Sequence, residues 1–246
     1  MAEGVLIVTG GSRGIGAATS RLAAKAGYSV LVNYARDAAT AEALVDDIRT
    51  AGGNAMAVRA DVGVEADVLA LFEAADRFGR LAGLVNNAGV VDLVSRVDEM
   101  SVERMRRMFE INTIGTMVCA REAVKRMSTR HGGQGGAIVN VSSASAKLGS
   151  PAQYVDYAAA KGAVEAFAVG LGRGVVQEGI RVNAVRPGII DTDIHASGGD
   201  PARVARVSGQ LPAGSHSQLP RPACASGSDP YVSWHSPAEL SNPSAH

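Results

Sequence analysis

Two side chains in the second half of the chain have the types and spacing needed for proton transfer. The stretch YVDYAAAK, residues 154–161, ends in Lys161, and Tyr157 stands four residues before it. Residues four apart share one face of a helix. A free phenol has a pKa of about 10, and a nearby ammonium favours the phenolate, so this pair could exchange a proton near neutral pH. Tyr154 is predicted to face another side of the helix and to form part of a pocket wall.

A glycine-rich segment gives this pair a context, since a tyrosine four residues before a lysine is common on exposed helices. The segment TGGSRGIG, residues 9–16, follows an apolar run and precedes an alanine-rich stretch. Gly10, Gly14 and Gly16 would let the backbone approach a pyrophosphate. A helix that begins there would offer free N–H groups and the positive end of its dipole. We therefore predict a dinucleotide-binding loop.

The elements that must position these groups alternate along the chain. Short β-branched runs, typical of buried strands, are separated by stretches in which apolar residues recur at helical spacing. Strands separated by helices pair in parallel with right-handed crossovers. The sequence predicts one α/β domain with a doubly wound parallel sheet, a Rossmann fold. The predicted strands are 5–9, 30–34, 55–61, 83–89, 137–143 and 180–188, and the predicted helices are 14–26, 38–50, 65–78, 101–128 and 157–177, the last with a core-facing stripe of Val164, Phe167, Ala168 and Leu171.

The end of the second strand bears on which dinucleotide is bound. An acidic side chain there would bind a ribose 2′-hydroxyl and select NAD, but Asn33 occupies the position. Arg13 in the glycine-rich loop and Arg36 just past the strand could both bind a 2′-phosphate. They could also be ordinary solvated surface charges. The missing carboxylate favours NADP(H), with NAD(H) as the second possibility.

With the glycine-rich loop, NNAG at residues 86–89 and Tyr157-x-x-x-Lys161 in this order, the chain resembles the short-chain dehydrogenase/reductase family over roughly residues 3–208. The likeness leans towards glucose 1-dehydrogenase-like and 3-oxoacyl-carrier-protein reductase-like members. The resemblance implies that Tyr157 is the general acid/base. It also implies that Lys161 supports this tyrosine and holds the nicotinamide ribose.

In that family a serine just after the fifth strand hydrogen-bonds the substrate oxygen. The segment VSSAS offers Ser142, Ser143 and Ser145, of which Ser143 is the expected match and Ser142 a structural neighbour. Ser143 stands fourteen residues before Tyr157, one more than is usual in the family. Either the stretch KLGSPAQYVD carries a one-residue insertion or the assignment slips.

The resemblance implies further site residues. Asn112, in INTIG, matches an asparagine that loosens a central helix and orders a water for proton relay, and an asparagine in an apolar helix is costly without partners. Asp61 matches an acid that positions the adenine, although an N-cap ahead of Glu65 is an equally physical account. His195, alone in a lid loop, is predicted to bind no metal. The residues implied to bind the cofactor, besides Tyr157 and Lys161, are Gly10, Ser12, Arg13, Gly14, Ile15, Gly16, Asn33, Arg36, Asp61, Val62, Asn86, Asn87, Ala88, Gly89, Pro187, Gly188 and Thr192.

Composition limits which partners and which cellular compartment can be expected. The 24 basic and 24 acidic side chains balance, which argues against nucleic acid. Cys119 and Cys224, the only cysteines, predict no disulfide framework and a reduced, cytoplasmic setting. The start MAEGVLIVTGG shows neither a signal nor a membrane span. We expect a small-molecule alcohol or carbonyl as substrate and a homo-oligomer, dimer or tetramer.

The alternation of strands and helices stops near residue 209. Residues 211–246 hold six of the nine prolines and eight serines, a composition that breaks ladders and helices and buries little apolar surface. We predict a catalytic domain over 1–208 and a Pro/Ser-rich tail over 209–246 that lacks the family's last strand and is disordered or loosely packed. The expected function is an NADP(H)-dependent oxidoreductase acting on a secondary alcohol or carbonyl. The alternative is a dinucleotide-binding protein with little or no turnover, because the last strand is missing.

Overall fold

The structure, a computed structural model, describes residues 3–192, 194–199 and 202. The predicted tail, 209–246, lies outside the described residues. No helix within these ranges is long and apolar enough to cross a membrane. The strands are β1 (Val5–Val8), β2 (Ser29–Tyr34), β3 (Asn54–Arg59), β4 (Leu81–Asn86), β5 (Gly136–Val141) and β6 (Ile180–Val185), and the α-helices are α1 (Gly14–Lys25), α2 (Ala38–Thr50), α3 (Glu65–Phe78), α4 (Val102–Phe109), α5 (Gly115–Met127), α6 (Ser145–Leu148), α7 (Val155–Val175) and α8 (Ile194–Ser197).

The six strands form one parallel sheet in the order β3-β2-β1-β4-β5-β6. The order reverses between β1 and β4, because the chain returns from β3 at one edge to the far side of β1. Ligands of doubly wound sheets bind at the carboxyl ends of the strands beside such a reversal. The predicted doubly wound α/β fold is confirmed. Among the described residues, β6 is an edge strand.

Both faces of the sheet are covered, which explains why its strands are continuous apolar runs. Successive strand residues point to opposite faces, so Ile7 packs into the core with Phe72 of α3, whereas Val8 packs into a second core on the other face. The predicted stripe of α7 faces the sheet. Its residues Val164 and Ala168 are buried.

Several predicted boundaries are wrong. The predicted strands 83–89, 137–143 and 180–188 end two or three residues early. Beyond these points the main chain leaves the ladder and forms the loops of the site. Helix α7 begins at Val155 rather than at residue 157, and Tyr154 is its N-cap residue. Tyr154 therefore precedes the helix and does not face another side of it.

The predicted helix 101–128 is not uniform. It begins after Ser101, whose hydroxyl accepts a hydrogen bond from the Arg104 N–H at 3.2 Å. Between α4 and α5 lies a π-helical turn, Glu110–Ile114. Such single turns insert one residue into the hydrogen-bond ladder and are frequent at functional sites. The turn contains Asn112, the residue at which the resemblance implies a loosened helix.

Candidate active site

The glycine-rich loop joins β1 to α1 and is shaped for a phosphate. Gly10 and Gly14 have φ of 58° and 53°, in the left-handed region that favours glycine. A Cβ on Gly16 would lie 2.3 Å from the Gly10 carbonyl oxygen, so α1 packs directly on the loop. Within the described chain, the N-cap residue Arg13 makes no side-chain capping bond. The first N–H groups of α1, which include that of Ile15, and its positive dipole end therefore suit an anionic pyrophosphate beside Ser12.

The main chain just after β4 is hydrogen-bonded to the glycine-rich loop. The Thr9 hydroxyl accepts hydrogen bonds from the N–H groups of Asn87 and Ala88, both at 3.0 Å. The Asn87 side-chain amide donates to the carbonyl oxygens of Thr9 at 3.0 Å and Gly10 at 2.9 Å. Asn86, in contrast, is buried within the sheet. Of the two asparagines, only Asn87 contacts the glycine-rich loop.

The Asn33 side chain is turned into the protein, contrary to its predicted place at the cofactor. It is buried, and its Oδ1 accepts from the Gly10 N–H at 3.1 Å. Its Nδ2 donates to the Ala60 carbonyl at 2.9 Å. Asn33 therefore connects β2 to the glycine-rich loop and to the end of β3. Arg13 and Arg36 are exposed, and their guanidinium groups remain the cationic candidates at this edge.

Asp61 lies just past β3 but does not cap the next helix. Its carboxylate accepts a hydrogen bond from the Gly63 N–H at 3.0 Å, and Val64 is the N-cap residue of α3. The account of Asp61 as an N-cap ahead of Glu65 is wrong. The neighbouring Val62 is buried and packs beneath α5.

Ser143 is the serine that meets the tyrosine. Its hydroxyl shares a hydrogen bond with the Tyr157 phenol. Ser142 is buried, and its hydroxyl donates to Glu165 at 2.7 Å, one turn beyond Lys161 on α7. The structure thus brings Ser143 to Tyr157 and uses Ser142 to hold β5 against α7.

The segment between Ser143 and Tyr157, one residue longer than is usual in the family, has an unusual main-chain conformation. Gly149, Ser150 and Ala152 all have left-handed φ, of 76°, 45° and 54°. Only glycine adopts that conformation at no cost, and other residues lose roughly 1–3 kcal/mol. Ser143 and Tyr157 still meet across this segment, so its length does not separate them.

Lys161 is enclosed beside Tyr157. Its side chain is 2% exposed, and its Nζ donates to the Val141 carbonyl at 2.8 Å and lies 5.7 Å from the centre of the Tyr157 ring. A Cβ on Gly89 would be 3.5 Å from this nitrogen. The ends of β4 and β5 therefore meet at the Tyr157–Lys161 pair.

The pKa values of this pair do not follow the simple expectation of a lowered phenol. Burial raises the pKa of Tyr157, and the hydrogen bond from Ser143 opposes that rise. Burial lowers the pKa of Lys161 to about 8. Desolvation thus outweighs the attraction between ammonium and phenolate.

Asn112 is buried and fully engaged. Its Oδ1 accepts from the Val90 N–H at 3.1 Å, and its Nδ2 donates to the carbonyl oxygens of Val90 and Met108, both at 3.0 Å. These bonds satisfy an amide that would be costly in an apolar helix. They also fix the loop after β4 one residue past Gly89.

Comparison with known proteins identifies the family. The family model for short chain dehydrogenase matches residues 4–201. The chain belongs to the short-chain dehydrogenase family. The resemblance inferred from the motifs is confirmed, and the protein is an oxidoreductase of this family.

Three members of the short-chain dehydrogenase family illustrate the likeness. YgfF of Escherichia coli (strain K12), named an uncharacterized oxidoreductase, is 50% identical over 209 residues, 85% of this chain and 85% of that protein. A 3-oxoacyl-[acyl-carrier-protein] reductase of Synechocystis sp. is 37% identical over 193 residues, 77% of this chain and 75% of that one. A short chain dehydrogenase from Burkholderia cenocepacia J2315, solved in complex with NADP, superimposes with a TM-score of 0.80 at 30% identity and covers 88% of this chain and 86% of that chain.

In this short-chain dehydrogenase the segment after β6 returns to the glycine-rich loop. The Pro187 carbonyl accepts from the Ala144 N–H at 3.0 Å. A Cβ on Gly14 would be 3.1 Å from the Thr192 methyl group. Gly188 lies between these two anchors, and the His195 side chain is outside the described residues. No group of three potential metal ligands occurs in the described ranges.

Sequence reasoning missed an ion pair that supports the site. Glu165 accepts hydrogen bonds from both ends of the Arg186 guanidinium as well as from Ser142. Arg186 immediately precedes Pro187, so this pair ties the end of β6 to α7. An acidic residue four positions after Lys161, within the apolar stripe of a helix, is the signal that could have identified it.

The close packing at Gly16 gives the first prediction. Gly16→Ala should lower NADPH affinity more than tenfold and reduce the free energy of unfolding by about 1–3 kcal/mol, because its Cβ meets main-chain atoms and α1 must shift from the loop. Fluorescence titration and urea unfolding measure both effects. Gly174→Ala is the control, because a Cβ at that exposed helical position would have no other atom within 4 Å. Its free energy of unfolding should rise by up to about 1 kcal/mol. Normal NADPH affinity in Gly16→Ala would contradict the phosphate-loop assignment.

Proposed function

We propose that the protein interconverts a secondary alcohol and a carbonyl with NADP(H), with Tyr157 as general acid/base. The observation that carries this proposal is the meeting of Tyr157, Ser143 and Lys161 at the strand ends beside the glycine-rich loop. A loop that accepts a pyrophosphate and a phenol that can move a proton then serve the same reacting centre.

The chain's own residues have separate roles in the proposed reaction. A bound nicotinamide would supply or accept the hydride at its C4. The Ser143 hydroxyl donates a hydrogen bond to the substrate oxygen, and Tyr157 Oη gives a proton to that oxygen in reduction or takes one in oxidation. Lys161 stabilises the phenolate that reduction leaves and holds the nicotinamide ribose. Asn112 keeps the loop after β4 in place.

The ionisation of the pair favours one direction near neutral pH. Burial raises the pKa of Tyr157, so the phenol keeps its proton at pH 7 and is ready to donate it. Oxidation needs the phenolate and should gain as the pH rises. We therefore propose carbonyl reduction as the favoured direction near pH 7.

NADP(H) as the preferred cofactor rests on the charges at the adenosine edge. Arg13 and Arg36 are exposed there, whereas Asn33 offers its amide to the main chain. A guanidinium binds a phosphate with charge-assisted hydrogen bonds that a 2′-hydroxyl cannot replace. The NADP complex of the relative from Burkholderia cenocepacia supports the same preference.

Neutralising both arginines tests that preference. Arg13→Gln with Arg36→Gln should weaken NADPH binding by about 10- to 100-fold and leave NADH binding within about twofold, because only the 2′-phosphate loses its partners. Arg21→Gln is the control, since Arg21 is an exposed arginine of α1 paired with Asp47. Asn33→Asp is unsuitable, because its carboxylate would meet the Ala60 carbonyl. Equal affinity of the unmodified protein for NADPH and NADH would contradict the proposal.

Turnover itself distinguishes the proposed enzyme from the alternative, a dinucleotide-binding protein with little catalysis. The protein is titrated with NADPH and then assayed for NADPH oxidation against a panel of ketones, aldehydes, sugars and 3-oxoacyl thioesters. Turnover on any of them supports the enzyme. Binding without turnover on every compound favours the alternative. Homo-oligomerisation, the cytoplasmic location and the loosely packed tail stay predictions.

A further inference from the structure

An ion pair is buried beside the start of α7. The Arg104 Nε donates to Asp156 Oδ2 at 2.8 Å, and its Nη2 donates to Asp156 Oδ1 at 3.4 Å. The two side chains are 11% and 3% exposed. Exposed pairs contribute little to structure, but a buried, two-point pair fixes the relative position of its elements. Here those elements are α4 and the first turn of α7.

The two side chains of this pair also form hydrogen bonds to two separate parts of the site. Arg104 Nη1 donates to the Leu93 carbonyl at 2.6 Å, in the loop that follows β4. Asp156 Oδ1 accepts from the Tyr157 N–H at 2.9 Å. One guanidinium therefore holds the loop after β4, while its partner carboxylate holds the backbone of the proposed acid/base.

A second link lies nearby and does not depend on this pair. The Ser95 N–H donates to the Gln153 carbonyl at 3.1 Å. It joins the loop after β4 to the strained segment 149–153 that precedes α7. Loss of the ion pair would therefore leave the loop attached at Ser95 and release it at Leu93.

We propose that Arg104 and Asp156 are positioning residues that aim the Tyr157 phenol at the substrate oxygen and fix the wall formed by the loop after β4. The inference rests on the proposed role of Tyr157. A buried ion pair is a poor source of net stability, because apolar residues in its place are often equally stable. Its two-point geometry instead supplies direction, and a shift of about 1 Å at a reacting group can cost about a hundredfold in rate.

The test is a double variant, Arg104→Met with Asp156→Asn, which removes both charges and leaves no buried ion unpaired. Asparagine can still accept from the Tyr157 N–H. We expect the melting temperature and NADPH affinity to change little and kcat to fall by about 10- to 100-fold. Arg96→Met with Asp98→Asn is the matched control, since that pair is exposed and lies between β4 and α4, and it should leave kcat within about twofold.

A second readout is independent of turnover. In the NADP-bound protein with 13Cζ-labelled tyrosine, the Tyr157 resonance, assigned with Tyr157→Phe, should titrate at a different pH in the double variant than in the unmodified protein. A merely structural pair would leave that titration unchanged. Arg104→Lys keeps the positive charge and loses the two-point geometry of the guanidinium. Its kcat and its Tyr157 titration should lie between those of the unmodified protein and those of the double variant. This single variant covers the case in which the double variant does not fold.

The outcomes separate the two proposals. A folded double variant with unchanged kcat and an unchanged Tyr157 titration would overturn the positioning role. Normal kcat in Arg104→Lys, with an unchanged titration, would do the same. If Tyr157→Phe itself kept full activity, the acid/base role would fail instead, whatever the ion pair does.

Discussion

Tyr157→Phe should reduce turnover by about a thousandfold or more while NADPH affinity stays within about twofold. The phenol is the proposed proton donor, and only its hydroxyl is removed, so the ring still packs beside Lys161 and the glycine-rich loop is untouched. The rate is measured as NADPH oxidation on the carbonyl that the panel identifies. Binding is measured separately by NADPH fluorescence.

Tyr154→Phe is the matched control three residues away. Tyr154 is buried, and its hydroxyl donates to the Gly198 carbonyl at 3.2 Å. Losing that bond should cost about 1 kcal/mol of stability and lower the rate less than about tenfold, because the bond anchors the segment after α8 and not the reacting atoms. Equal losses in the two variants would show that the wrong tyrosine has been chosen.

The parts of the site that are local in sequence could be predicted. Tyr157 and Lys161 share a helical face by geometry alone. Three glycines of the loop have a clear reason to be glycine: Gly10 and Gly14 need left-handed φ, and Gly16 leaves no room for a Cβ. The strand order follows from the alternation of elements and the handedness of their crossovers.

The direction of a side chain at a strand end could not be predicted. The position of Asn33, where an acidic residue would select NAD, predicts a side chain at the cofactor. In the fold its amide bonds to Gly10 and Ala60, on elements distant in sequence. Whether a polar side chain turns to solvent or to a neighbouring loop depends on which main-chain groups lack partners, and the sequence does not show them.

Pairings between distant segments were missed for the same reason. Arg104 and Asp156 are 52 residues apart, and each alone resembles a solvated surface charge. Only the packing of α4 against α7 shows that both are buried. The sequence did indicate Asn112, because an amide between apolar residues needs partners, but not that Val90 and Met108 would provide them.

The second prediction with a large expected effect concerns the ionisation of Lys161 and the pH dependence of stability. Burial lowers its pKa from 10.5 to about 8, so at neutral pH the folded protein holds a charged, poorly solvated ammonium. Between pH 8 and 10.5 the folded state has released this proton while the unfolded state retains it. Stability from this group therefore rises with pH across that window. From pH 7 to pH 9.5 the rise should be about 2 kcal/mol, since one unit of pKa corresponds to about 1.4 kcal/mol and the folded state loses its proton gradually around pH 8.

Lys161→Met should remove that rise, which urea unfolding at several pH values between 7 and 9.5 can measure. Cys119, whose pKa burial raises to about 12, acts in the opposite sense, but it is present in both proteins and cancels in the difference between them. Tyr157, with its raised pKa, acts mainly above pH 10 and sets the upper limit of the measurement. Lys125→Met is the control, since that lysine is largely exposed and pairs with Glu122. If the free energies of unfolding of Lys161→Met and the unmodified protein ran parallel with pH, Lys161 would keep its proton throughout. The ammonium would then have a partner that outweighs its desolvation.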